Sequence, residues 1–230
     1  MKKSTFSPCP NYRETRNGLL YLAFQFLVLP SLLTLVNSTL DTPLSTAELN
    51  FTFYLINFMA ILVIFHDYLG HSAKEAVLHP ILLLQTVILG LVAYFACTQS
   101  LTFIIGKLLP SYSNYNDEAI AAMSRGNFFL MTVGTVILVP LYEECMFRGL
   151  IFRNLYGKSK WAAYLVSMLA FAIIHILGYI GTYSPLELAL AILQYLPAGL
   201  TLAWSCTKSG TLFAPILIHA IINFITIHYI

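Results

Sequence analysis

The chain has 230 residues, 58% of them hydrophobic and only 10% charged, with a formal net charge of +2. A soluble domain carries about 25% charged residues, so this composition excludes an ordinary soluble enzyme and indicates a polytopic membrane protein. The small positive balance also argues against a nucleic-acid-binding surface.

A membrane helix needs about 20 apolar residues. Seven segments approach that length, at 18–40, 49–65, 80–106, 127–156, 161–182, 186–207 and 210–230. The expected fold class is therefore all-α, a polytopic membrane bundle of about seven transmembrane helices. The first segment is longer than the apolar core of a secretory signal, about 7–15 residues, and reads as a helix that stays in the protein. Asn37 and Asn50 fit the short glycosylation pattern, which arises often by chance. After the second segment come His66, Asp67, His71 and His79, nominal metal ligands that read as a solvated interfacial connection. An amphipathic or re-entrant piece fits near 41–50 or 111–126.

The fourth segment carries the costly residues. From Gly126 to Tyr142 no charge occurs, and then Glu143 and Glu144 stand side by side, with Arg148 following. A carboxylate inside a bilayer costs a few kcal/mol on insertion scales. Pro140, three residues before Glu143, is placed to bend the helix or to be tolerated in it. The fifth segment carries Phe171 and His175, the sixth Gln194, and the seventh His219 and Asn223. Gln194 reads as an interhelical hydrogen-bonding residue. Cys9, Cys97, Cys145 and Cys206 form no paired pattern, and Cys145 reads as a small packing residue. Residues 1–125 show no motif, and residues 126–230 hold the polar constellation within one compact bundle.

Basic residues set the expected orientation. Lys2, Lys3, Arg13 and Arg16 precede the first helix, and Lys74, Arg153, Lys158, Lys160 and Lys208 fall on the same side. Lys107 and Arg125 fall on the other. The N-terminus is therefore expected in the cytoplasm. Nothing in the sequence sets an oligomeric state.

Spacing groups the polar residues. Glu144 and Arg148 are four apart and share a helix face, as do Phe171 and His175, and His219 and Asn223. Glu143 is turned about 100° from Glu144. It has no cation on its own face and lies desolvated beside a second carboxylate, the setting of a general base. At 1.5 Å per residue, Glu143, His175 and His219 lie about 20, 21 and 15 Å from the expected cytoplasmic boundary. Polar side chains of three helices in one layer suggest a single buried site rather than scattered helix-association contacts.

Three motifs resemble those of a known family. Glu143-Glu-Cys-Met-Phe-Arg148 is similar to the EExxxR motif of CAAX prenyl protease 2 and its bacterial relatives, the CAAX protease and bacteriocin-processing, or abortive-infection, family. Phe171 to His175 resembles its FxxxH motif, and His219 to Asn223 its HxxxN motif, with a similar lead-in from Ser209. The resemblance covers roughly residues 126–230. It implies an intramembrane glutamate-dependent endopeptidase that uses no metal and no other cofactor. Glu143 would activate water with His175, His219 and Asn223 would form the oxyanion hole, and Glu144 and Arg148 would position the first motif. It also implies a membrane-protein or lipidated-peptide substrate, a bilayer setting and, by general character, a bacterial cell membrane. Eukaryotic members trim prenylated proteins, and several bacterial ones are linked to bacteriocin immunity. Two alternatives stay open: a zinc-dependent intramembrane protease built on the same histidines and glutamate, and a non-catalytic immunity or scaffold protein.

Overall fold

The structure is a computed structural model and describes residues 9–229, so Lys2 and Lys3 lie outside the described residues. Ten helices follow in chain order: α1 Tyr12–Leu27, α2 Leu29–Ser38, α3 Thr46–Ile64, α4 His66–Leu78, α5 Pro80–Leu108, α6 Tyr115–Gly126, α7 Phe128–Tyr156, α8 Lys160–Ile174, α9 Pro185–Ser209 and α10 Phe213–Tyr229. Among the described residues there is no regular strand, only an isolated bridge between Ile180 and Tyr183. The fold is an all-α membrane bundle.

Four helices, α3, α5, α7 and α9, are long and apolar enough to cross a membrane; α1 and α2, bent by 46°, make a fifth if they count as one broken span. The remaining two apolar segments form the 15-residue α8 and the 17-residue α10. At 1.5 Å per residue these reach about 22 and 26 Å, short of a full hydrocarbon thickness of about 30 Å. The chain is thus a multi-pass membrane protein. Its lipid-facing surface is visible on α5, where Ile81, Leu84, Ile88, Val92 and Phe103 are exposed.

The ends of the helices follow the sequence. Asn11 with Glu14, Ser45 with Glu48, and Ser184 with Glu187 form capping boxes that begin α1, α3 and α9. Glu14 serves twice: one oxygen accepts from its own cap at Asn11, and the other accepts from the Tyr68 amide at the start of α4. Gly210 ends α9 with φ of 74°, a left-handed conformation that favours glycine. The break between α1 and α2 lies just before Pro30, which lacks an N–H and whose ring presses on the preceding turn.

Two expectations are corrected, and Pro140 lies within one continuous helix. The segment after the second span is helix α4, not a loop; Tyr68, Ser72 and Ala76 recur every four residues and are buried. Ser72 accepts from the Leu212 amide at 2.6 Å, and Thr211 donates to the Ser72 carbonyl, so α4 is tied to the start of α10. The fifth segment stops early. α8 ends at Ile174 with His175 as its cap, and a short 3-10 turn, Leu177–Tyr179, and Gly181 at φ 89° carry the chain to α9. Pro140 does not split its helix. Instead two stretches of α7, Gly134–Leu138 and Cys145–Phe152, widen into π-helix, with Val139 bonded to Gly134 and Arg153 to Arg148. A wider turn before proline relieves the missing donor, and π turns often occur at functional sites.

One core joins both parts of the chain. Ile61, Phe65, Tyr68 and Val87 from the first part pack with Met146, Leu150, Leu202 and Ile218 from the second. Gly199 of α9 lies directly against the backbone of α8, where an added Cβ would lie 3.0 Å from the Met168 Cα. That neighbour is backbone and cannot swing aside. Gly199→Ala is expected to lower stability by about 1–3 kcal/mol, read as a lower melting temperature in detergent; an unchanged melting temperature would show that the contact yields.

Candidate active site

The two glutamates are buried in the middle of α7, at 5% and 0% exposure. Their environments differ. Glu144 Oε1 accepts from Arg148 Nη1 at 3.0 Å and from His219 Nδ1 at 2.9 Å. Arg148 is also wholly buried. Its Nη2 donates to the Gly199 carbonyl at 3.1 Å, and its guanidinium lies 4.4 Å over the Phe171 ring. A guanidinium stacks on an aromatic face and forks toward oxygen acceptors, so one side chain joins α7, α8 and α9.

Glu143 has a sparser surround. Oε1 accepts from the Tyr142 hydroxyl at 3.3 Å, while Oε2 is buried without a hydrogen-bond partner. His219 Nε2 lies 4.0 Å from that oxygen. His219 therefore bridges the pair, one ring nitrogen against each carboxylate. An ionised carboxylate only accepts, so Nδ1 carries the proton toward Glu144 and Nε2 faces Glu143.

His175 caps α8 and donates from Nδ1 to the Phe171 carbonyl at 2.7 Å, which leaves Nε2 as its acceptor. Its ring stacks on Tyr195 of α9, centroids 4.1 Å apart. Asn223 Nδ2 donates to the Thr135 carbonyl at 2.8 Å, in the first π stretch, and the amide keeps a second donor. Phe171, 2% exposed, touches three of the polar groups, packing against Arg148, His175 and His219.

These residues share one space. A cavity of about 710 Å³ is lined by Glu143, Phe171, His175, His219 and Asn223. Glu144 and Arg148 are not on its wall; they stand behind it. All seven residues singled out in the three motifs thus converge, five on the cavity and two in its support. Gln194 also lines the cavity, and its amide oxygen accepts from Tyr112 and Asn114 in the connection before α6, so its bond runs from helix to connection rather than between helices.

Sequence reasoning missed Tyr142, Tyr195 and the Gly199 carbonyl. Tyr142 was readable as the neighbour of Glu143. Tyr195 follows Gln194 in an apolar helix, and nothing in the sequence ties it to His175. The nominal set at His66, Asp67, His71 and His79 does not converge: His66 and His71 both turn to Asp67, while His79 faces Glu75 at 3.8 Å. Among the described residues no three His, Cys, Asp or Glu side chains group closely enough to hold a metal ion. The four cysteines are free, Cys145 and Cys206 buried.

The chain is 28% identical over 121 residues to an Escherichia coli protein named "Uncharacterized 24.3 kDa protein", covering 51% of this chain and 52% of that one. It is 32% identical over 87 residues to UPF0177 protein YbdI of Lactococcus lactis subsp. lactis (strain IL1403), covering 31% and 47%. The matches thus span about half the length of these curated relatives. No solved structure matches significantly. The family model described as type II CAAX prenyl endopeptidase Rce1-like matches residues 125–225, which contain every motif residue named above. Over residues 125–225 this chain is therefore similar to the type II CAAX prenyl endopeptidase Rce1-like family.

Proposed function

We propose that the protein is an intramembrane endopeptidase in which Glu143 acts as general base on a water molecule. The observation that carries this reading is Glu143 Oε2, a buried carboxylate oxygen without a partner at the wall of a cavity shared with two histidines and an asparagine. Such an oxygen costs free energy unless it has a task.

Hydrolysis balances as follows. The water oxygen attacks the scissile carbonyl carbon while its proton passes to Glu143, with His175 Nε2 as a second acceptor for the same water. The carbonyl oxygen becomes an oxyanion. His219, when both ring nitrogens carry protons, donates from Nε2 to it, and the second N–H of Asn223 supplies another donor. The C–N bond then breaks, the departing nitrogen takes the proton held by Glu143, and the products are a carboxylic acid and an amine. Glu144 and Arg148 hold His219 and the first motif in place without touching substrate. No metal takes part in these steps. The substrate is a membrane protein or lipidated peptide, the setting is a cell membrane, bacterial like that of the two relatives, and the N-terminus faces the cytoplasm as the basic loops require.

The test is cleavage in proteoliposomes of a set of membrane-anchored peptides, one bearing a prenylated CAAX end, read by mass spectrometry. Glu143→Gln is expected to lower the rate by about 10²–10⁴ while the melting temperature stays within a few degrees. Cleavage at the wild-type rate by that variant would sink the proposal. Tyr195 is expected to matter by holding the His175 ring. Tyr195→Ala should lower kcat about tenfold to a hundredfold, and Tyr195→Phe, which keeps the stacked ring, should recover most of it. Equal rates for the two variants would remove Tyr195 from that role.

A further inference from the structure

Among the described residues there is no regular strand, so the cavity has no sheet edge that could pair with the backbone of a peptide. Its wall is made of helices, whose own backbone groups are paired along the helix. An amide N–H carried into such a space costs free energy unless a side chain accepts from it. Two acceptors on the wall, Glu143 Oε2 and His175 Nε2, are assigned to the water. A third is idle. Gln25, in the last turn of α1, is 3% exposed and lines the cavity, and its Oε1 has no hydrogen-bond partner.

The level of Gln25 follows from how α1 packs on α7. The two helices run antiparallel. Cys9 Sγ, just before α1, donates to the Arg153 carbonyl at 3.4 Å, and farther along Gly18 faces Leu150, whose side chain an added Cβ would meet at 3.3 Å. Two more turns of α1, about 10 Å, lead from Gly18 to Gln25 on the same face. A similar step along α7 in the opposite direction leads from Leu150 to Glu143. The two unpaired oxygens, Gln25 Oε1 and Glu143 Oε2, therefore lie at about the same height in one cavity. A glutamine that only ties helices together is met from a neighbour, as the previous polar residue on this face is: Tyr21 donates to Asn57 of α3 at 2.9 Å. Beyond Gln25 the chain bends into α2, and Phe26 and Pro30 continue the cavity wall.

We propose that Gln25 is a substrate-binding residue whose amide oxygen accepts from one backbone N–H of the peptide lying beside Glu143. The proposal rests on the peptidase reading and adds a contact to it. A backbone contact asks for no particular side chain, and it suits a bond near a chain end as well as one within a chain. A donor arriving with the peptide satisfies an oxygen that the fold leaves unpaired. Gln25 lies outside residues 125–225, the part similar to the endopeptidase family. The first helix thus contributes a binding group to a site whose reacting groups all come from the second half of the chain. The contact is made before the reaction and during it, so its loss raises KM more than it lowers kcat.

The experiment uses the full chain in proteoliposomes and the membrane-anchored peptides of the cleavage test. In each analogue one amide near the cleaved bond is replaced by an ester, which removes a single N–H and keeps the side chains. Affinity is measured by fluorescence anisotropy on Glu143→Gln protein, with and without Gln25→Met. In parallel kcat and KM are measured on wild type and Gln25→Met. Methionine keeps the length of glutamine without its amide, and Gln25→Leu repeats each measurement with a different shape. Gln25→Met is expected to weaken affinity and raise KM about threefold to thirtyfold, with kcat changed less than about threefold. Its melting temperature is expected to be equal or higher, because a buried unpaired amide is removed. One ester analogue is expected to lose a similar factor against protein that keeps Gln25, and little more against Gln25→Met, which identifies the N–H that Gln25 accepts. Unchanged affinity in both Gln25 variants, a lowered melting temperature in both, or ester losses that are the same with and without the amide overturn the proposal. With cleavage still abolished by Glu143→Gln, those results sink this proposal alone. Cleavage that persists in Glu143→Gln sinks the peptidase reading, and the ester comparison on Glu143→Gln protein then still decides the role of Gln25. Peptides neither bound nor cut sink both.

Discussion

Arg148→Leu is expected to destabilise the protein by about 3–5 kcal/mol, the usual effect of removing one partner from a buried ion pair. The reason lies in what is left behind. Glu144 has no exposure and one oxygen already without a partner, so loss of the guanidinium leaves its charge supported only by His219. The Gly199 carbonyl loses its donor, and Phe171 loses the cation on its face. Lysine does not substitute, because a single ammonium cannot fork between Glu144 and Gly199 while lying flat on the ring. Unfolding of wild type, Arg148→Leu and Arg148→Lys in detergent, followed by helical circular dichroism, checks this. Equal midpoints for all three would mean that the charge of Glu144 is met by other means.

Glu144→Gln is the second large effect, and it separates the two glutamates. It should lower stability by a comparable amount, about 3–5 kcal/mol, because it leaves the Arg148 charge uncompensated. It should also lower the cleavage rate by about 10²-fold or more, because His219 loses the carboxylate that orients its ring toward the cavity. Glu143→Gln should show only the second kind of loss. The double change Glu144→Gln with Arg148→Leu should be less unstable than the sum of the single changes, since each removes the charge the other strands. Additive losses would argue against a coupled pair.

The sequence made the site legible in outline because burying charge in an apolar helix is costly enough to demand partners. The pairing of Glu144 with Arg148 followed from helical spacing alone. The placing of Glu143, His175 and His219 in one layer followed from counting residues along apolar segments, and all three line one cavity. The contact between His219 and Glu144 was not readable, since it depends on how α10 is rotated against α7, and rotation is set by packing. The π stretches were invisible for a related reason: Gly134–Leu138 and Cys145–Phe152 have ordinary helical composition. The end of α8 at His175 is hidden by hydrophobicity, because Ile176 and Leu177 continue the apolar run while the 3-10 turn Leu177–Tyr179 and Gly181 redirect the backbone. Helix α4 reads as a connection in the sequence because its polar residues outweigh the few buried ones, Tyr68, Ser72 and Ala76, on its inner face.

On the proposed reaction, each bond hydrolysed would consume one water molecule, which the hydrocarbon interior scarcely contains. The cavity that holds Glu143 continues to Asn114 and Asn116, which lie just before and within α6, outside the long apolar helices. In the proposed reaction that polar lining would serve as the corridor by which water reaches Glu143. A greasy segment that packs the corridor would therefore stop turnover by drying it, however weakly it touched the glutamate.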